Sequence, residues 1–179
     1  MGSRKGSQVP SERVTEAVGG DNVVEVWLLD GIRLLANHTE VGLRGDRERA
    51  LLARLALDCG SSVPRGVLLE DVWGEAAGRS GAGALRVQIK RLRDHLAPFG
   101  LDHVVETTPD GYRLSDDVST DVARVERAIE EASAGHHAIG AMCDRFADLD
   151  HLLRGRPLHG LEDLLFVLSA SQRLAQVQT

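Results

Sequence analysis

Aromatic side chains are scarce in this 179-residue sequence, which holds two Trp, one Tyr and three Phe. A core must therefore be built from Leu, Val, Ile and Ala. Cysteine is scarcer, with Cys59 and Cys143 alone. Two thiols cannot staple a disulfide scaffold, and a reduced, cytoplasmic protein is the default expectation. Long apolar runs are missing as well. Residues 23–29 are interrupted by Glu25, and residues 164–168 are too short, so neither can span a bilayer and no membrane partner is expected. Arg4 and Lys5 have no apolar stretch behind them, which argues against a secretory signal. Gly6 stands where myristoylation after Met1-Gly2 needs Ser or Thr.

Signatures of catalysis are absent too. The sequence has no G-x-S-x-G, no H-E-x-x-H, no G-x-G-x-x-G and no phosphate-loop lysine. His136 and His137 near Cys143 come nearest to a ligand set, but Cys143 sits in an apolar stripe, which favours core packing over metal. The acid pairs at 116–117 and 130–131 read as solvated surface and caps. The expectation is no enzyme, no metal and no cofactor.

Net positive charge is missing overall, at -6, but the distribution is uneven. Residues 44–97 carry ten Lys/Arg against seven Asp/Glu, whereas 115–179 carry six against eleven. Arg79, Arg86, Lys90, Arg91 and Arg93 occur together with no acid between them. Fields near a surface are local and screened beyond roughly 8 Å, so such an element can bind an anion within an acidic chain. The same run also reads as a solvated helix face.

The pattern along the chain sorts into three parts. Residues 1–22, rich in Gly, Ser and charge, read as a flexible tail. Residues 23–29 (VVEVWLL) suit a strand, Asp30-Gly31 a hairpin turn, 32–35 the return strand and 41–43 a third short strand. A helix from Asp46 to about Cys59 puts Leu51, Leu52, Leu55 and Cys59 on one face, with Gly60 at its end. A second follows Pro64, with Leu68, Leu69, Val72 and Trp73 apolar. Residues 74–83 hold four glycines and read as a loop. A third helix spans about 84–97, with Leu85, Ile89, Leu92 and Leu96 as its core stripe. Residues 104–108 and 112–114 read as strands around the turn Pro109-Asp110-Gly111. The expected fold is α+β: a winged helix over 23–115, made of a small antiparallel sheet, three helices and a C-terminal hairpin. An all-α segment of about three helices follows over 116–179. Its stripes are Val118, Val122, Val125 and Ile129, then Ile139, Met142, Cys143, Phe146, Leu149 and Leu153, with a last helix over about 161–177.

With the third helix's apolar stripe inward, Gly83, Val87, Lys90, Arg91 and Asp94 point outward and Arg86 and Arg93 flank them. A helix fits the DNA major groove. Arg86, Lys90 and Arg91 are assigned to the groove, Val87 to a thymine methyl, and Arg79, Arg93 and Arg113 to the DNA backbone or adjoining groove. Asp94 repels phosphate, which shifts the footprint toward the helix N-terminal half. In the last helix, Leu161, Leu164, Leu165 and Leu168 lie on one side, with Phe166, Val167 and Leu174 nearer the other. A helix apolar on two sides expects cover on two sides, which points to self-association or a partner protein through Leu161, Leu165, Phe166 and Leu168.

Residues 44–60, VLLEDVWG at 67–74, LRVQIKRLRDHL at 85–96 and VVETTPDGYRL at 104–114 resemble the OmpR-type winged-helix domain. Asp121 to Glu126, RGRPLHGL at 154–161 and Gln172-Arg173-Leu174 resemble a bacterial transcriptional activator domain, here in truncated form. The pairing is similar to the Streptomyces antibiotic regulatory protein family. The resemblance implies a sequence-specific transcription factor that binds direct repeats in double-stranded DNA and recruits RNA polymerase. It implies an activator of a specialised-metabolite gene cluster. In OmpR-type domains the loop between helices two and three touches polymerase, which implies that role for Glu75, Arg79 and Ser80. Two alternatives stand beside it: a protein-interaction module with degenerate DNA binding, and a repressor.

Overall fold

Short strands and three helices organise the N-terminal part of the chain. In the computed structural model, residues 23–74, 77–133 and 149–178 are described, and the side chains of 77–80 and 82 are not. The expected tail at 1–22, most of the stripe at 139–153, His136, His137, Cys143 and Glu75 lie outside the described residues.

Strand β1 (Val24–Trp27) pairs antiparallel with β2 (Arg33–Ala36), and β2 with β3 (Thr39–Val41). The third strand lies earlier than the expected 41–43. Asn37 and His38 both take positive φ, 49° and 64°, and make a two-residue turn that brings Thr39 straight back onto the sheet. A fourth strand, β7 (Val118–Thr120), pairs parallel with β1 and completes the order β3-β2-β1-β7. The helical stripe read from Val118 is therefore corrected: Val118 is in a strand, and three residues are too few for alternation to show. Strand β1 also stops at Trp27 rather than Leu29. The backbone N–H groups of Leu28 and Leu29 leave the ladder and donate to Asp121 at 2.9 and 2.8 Å.

Helix α1 (Gly45–Leu57) turns Leu51, Leu52 and Leu55 into the core. Cys59, expected on that face, lies beyond the helix end and is exposed. Strand β4 (Val63–Pro64) leads into α2 (Arg65–Trp73), which buries Leu68, Val72 and Trp73. Helix α3 (Ala77–Leu96) begins inside the expected loop and is broken at Gly81 (φ 63°, ψ 173°). The regular stretch after that break is the helix read from the sequence, and Leu85, Ile89, Leu92 and Leu96 are all buried. Strands β5 (Val105–Thr107) and β6 (Gly111–Leu114) form the hairpin, and β4 adds a third strand in the order β4-β6-β5. Pro64 is tolerated there because β4 is an edge strand. A β-carbon at Gly111 would lie 1.8 Å from the Val63 carbonyl oxygen, so only glycine permits this pairing.

Helix α4 (Asp121–Ser133) packs on β1 and β7 and buries Val125. The break at 154–161 docks on the β1–β2 connection. The Leu158 N–H donates to the Leu28 carbonyl at 2.8 Å and the Gly31 N–H to the Arg156 carbonyl at 3.2 Å. Helix α5 (Leu165–Val177) starts later than expected, packs on α4 and buries Val167, Ala170 and Leu174. Among the described residues, no helix is long and apolar enough to cross a membrane.

Candidate nucleic-acid interface

Helix α3 has two unlike sides. Inward, its aliphatic stripe is sealed against α2 and α1. Outward, Arg86, Val87, Lys90, Arg91 and Asp94 are exposed, and Val87 is 51% accessible. An apolar side chain so open, with cations on either side, is the mixture a base-edge reader needs: guanidinium donors for guanine and a methyl-bearing side chain for thymine. Among the described residues, neither Arg86 nor Arg91 is in an ion pair. Lys90 is, with Asp94 one turn on at 2.5 Å, but both are well exposed and such a pair is weak in water.

Arg93 and Arg113 are placed differently from the other cations. Arg93 is half-buried. Its Nε and Nη2 donate to the Val105 carbonyl at 2.9 and 2.6 Å, and Nη2 also donates to Thr107 Oγ1 at 2.9 Å. It ties the hairpin to α3. Arg113 lies along β6 rather than at the hairpin tip. It donates to Glu106 at 2.8 Å and to Asp116 at 2.9 Å, which hold its pKa above the ordinary value. Its charge is thus spent within the protein. Arg79 and Ser80 fall on helical backbone ahead of the Gly81 break.

Further cationic groups, missed by sequence reasoning, lie beside this face and at the hairpin. Arg44 and Arg47, at the start of α1, line a groove of about 500 Å³ with Gln88 and Arg91 of α3. The groove is held together by a buried pair: His95 Nδ1 lies 2.9 Å from Glu48 Oε2, which also accepts the Arg44 N–H at 2.7 Å. Arg65 opens α2 and reaches the hairpin tip, donating to the Pro109 carbonyl at 2.8 Å and the Thr108 carbonyl at 3.2 Å. For Arg44 and Arg47 the signal was available: RGDRER at 44–49 holds three arginines, but Asp46 and Glu48 between them reduce its net charge to +1.

The last helix lies away from this face. Helix α5 meets the N-terminal unit at the C-terminal end of α1, where Leu57, Asp58, Phe166 and Arg173 line a cleft of about 310 Å³. Helix α1 thus has its N-terminus beside the cationic face and its C-terminus beside α5. Of the residues expected in self-association, Leu165 and Leu168 are 86% and 72% exposed and Phe166 is half-buried. Leu161 is corrected: it is buried before the helix begins, in the docked break.

Comparison with known proteins matches residues 39–114 to the family described as transcriptional regulatory protein, C terminal. The transcriptional regulatory protein EmbR of Mycobacterium tuberculosis and Mycobacterium bovis is 28% identical over 153 residues, which is 80% of this chain and 38% of EmbR. The transcriptional regulator RedD of Streptomyces coelicolor is 25% identical over 130 residues, covering 70% of this chain and 37% of RedD. The chain therefore spans under two fifths of the length of these relatives. A solved structure of M. tuberculosis EmbR in complex with a low affinity phosphopeptide has the same fold, with a TM-score of 0.69 at 24% identity over 88% of this chain and 43% of that one. The α+β arrangement of sheet, three helices and hairpin fits the winged-helix fold expected from the sequence. Residues 39–114 match the transcriptional regulatory protein, C terminal, family, and the chain is similar to the mycobacterial and Streptomyces regulators, in keeping with its resemblance to the Streptomyces antibiotic regulatory protein family.

Proposed function

We propose that this protein is a transcriptional regulator that reads double-stranded DNA with α3 in the major groove. The observation that carries this reading is the two-sidedness of α3: four buried aliphatic residues inward, and Arg86, Val87, Lys90 and Arg91 open to solvent outward. Arg86 and Arg91 reach base edges, Val87 meets a thymine methyl, and Lys90 contacts phosphate or guanine. The hairpin serves as the wing, positioned by Arg93. The regulator names of the relatives support the same role. Activation of a specialised-metabolite cluster, with RNA polymerase as partner near 75–80, follows from the family resemblance. Leu165 and Leu168 provide an apolar contact for a second copy of the chain.

The test is selection of duplexes from a randomised pool with the full chain, then fluorescence anisotropy on the winner. A recurrent sequence is expected, with Arg86→Ala weakening its binding by about 1–3 kcal/mol. Recovery of no sequence, with retained folding, sinks the DNA-reading function and favours the protein-interaction module.

A further inference from the structure

The hairpin tip has no cation of its own. Thr108, Pro109 and Asp110 form it, and the one arginine in the hairpin strands, Arg113, is neutralised by Glu106 and Asp116. A wing so composed carries an exposed acid, Asp110, toward whatever it meets. The tip is nevertheless gripped by a guanidinium from another element. Arg65, the first residue of α2, donates through Nη1 to the Pro109 carbonyl and through Nη2 to the Thr108 carbonyl, and stands 5.8 Å over the Tyr112 ring. Its own N–H donates to the Asp110 carbonyl at 3.1 Å.

These partners are all neutral. Carbonyl oxygens and an aromatic face fix a guanidinium without cancelling its charge. Among the described residues, no carboxylate pairs with Arg65. It is half-buried, so its rotamer freedom is already lost before any ligand arrives. A guanidinium has five N–H donors in a rigid fork, and two carbonyls leave donors over. The first helix of a helix-turn-helix pair crosses the DNA backbone when the second enters the groove, and α2 and α3 pack as such a pair.

We propose that Arg65 binds a DNA backbone phosphate beside the wing and supplies the positive charge that the wing tip lacks. This rests on α3 reading the major groove. Arg93 grips the same hairpin from the other side through the Val105 carbonyl and Thr107, and is a positioning residue.

The experiment uses the full chain and the selected duplex, with single methylphosphonate substitutions walked along each strand. In the wild type, one substitution outside the α3 footprint weakens binding by about tenfold, the size of one charge-assisted hydrogen bond. In Arg65→Gln that penalty falls below about twofold, and the slope of log affinity against log salt becomes shallower by about 0.9. Loss of a purely structural brace alters neither quantity at a single phosphate. Persistence of the full penalty in Arg65→Gln overturns the proposal. Should Arg65→Gln unfold, Arg65→Lys decides. A folded Lys variant keeps the charge and the phosphate penalty, and its loss there overturns the proposal instead. Failure of the wild type to select any duplex sinks the α3 reading, a separate outcome.

Discussion

Four arginines with the same formal charge play different parts here because of what surrounds them. Arg86 and Arg91 have no ion-pair partner among the described residues, Arg93 spends its donors on a strand, and Arg113 is held between two acids. Arg86→Ala and Arg91→Ala should each cost about 1–3 kcal/mol in duplex binding, while the thermal unfolding midpoint stays within a degree or two. A large drop in that midpoint would mean the cations brace the fold. Asp121 is the opposite kind of residue, wholly buried and structural. Burial pushes its carboxyl up to about 6, against the N–H groups of Leu29, Leu28 and Val122, which favour the anion. Its folded pKa is raised, so the stabilisation is complete below pH 3.8 and is lost as pH rises through about 6. Asp121→Asn removes that dependence. Its amide offers one acceptor where the carboxyl has two, so it should destabilise by about 1–3 kcal/mol at low pH. The gap to wild type should narrow by up to about 3 kcal/mol as pH rises from about 4 to about 6. Denaturant melts across that range read this, and a widening gap contradicts it.

At the scale of elements, the hairpin shows why close backbone approach decides what a position accepts. Gly111→Ala drives a methyl into the Val63 carbonyl, so β4 must leave β6. A loss of more than about 3 kcal/mol is expected, in the range of overpacking at its most severe. A variant unfolding at the wild-type urea midpoint would show that β4 is dispensable. The long amphipathic elements were legible in the sequence. The stripe at Leu85, Ile89, Leu92 and Leu96 has helical spacing that no strand shares, and the turn at 109–111 announces itself by its residue types. The two-residue β4 and the three-residue β7 were not, because alternation needs more positions than they have. Nor were Arg44, Arg47 and Arg65 picked out. Their roles come from tertiary placement beside α3 and the hairpin, which spacing along the chain does not encode.

At the scale of the whole molecule, the described residues of the acidic part are held to the basic part and leave the outer side of α3 exposed. The break at 154–161 docks on the β1–β2 connection, and α5 meets the far end of α1 from the cationic face. The outer side of α5 leaves Leu165 and Leu168 in water. Sedimentation or light scattering should report a dimer that Leu165→Ser/Leu168→Ser converts to monomer, and a wild-type monomer at high concentration would contradict that. Affinity for duplex should fall with salt at a slope near -4.5 if about five phosphates are neutralised. The sharpest question is whether α3 lies in the major groove. Dimethyl sulfate methylates guanine N7 there, so protection on the selected duplex reads the contact directly. Discrete guanines should be protected by the wild-type chain, and one should become reactive again in Arg86→Ala or Arg91→Ala. Unprotected guanine N7 atoms throughout the bound site would contradict major-groove reading by α3.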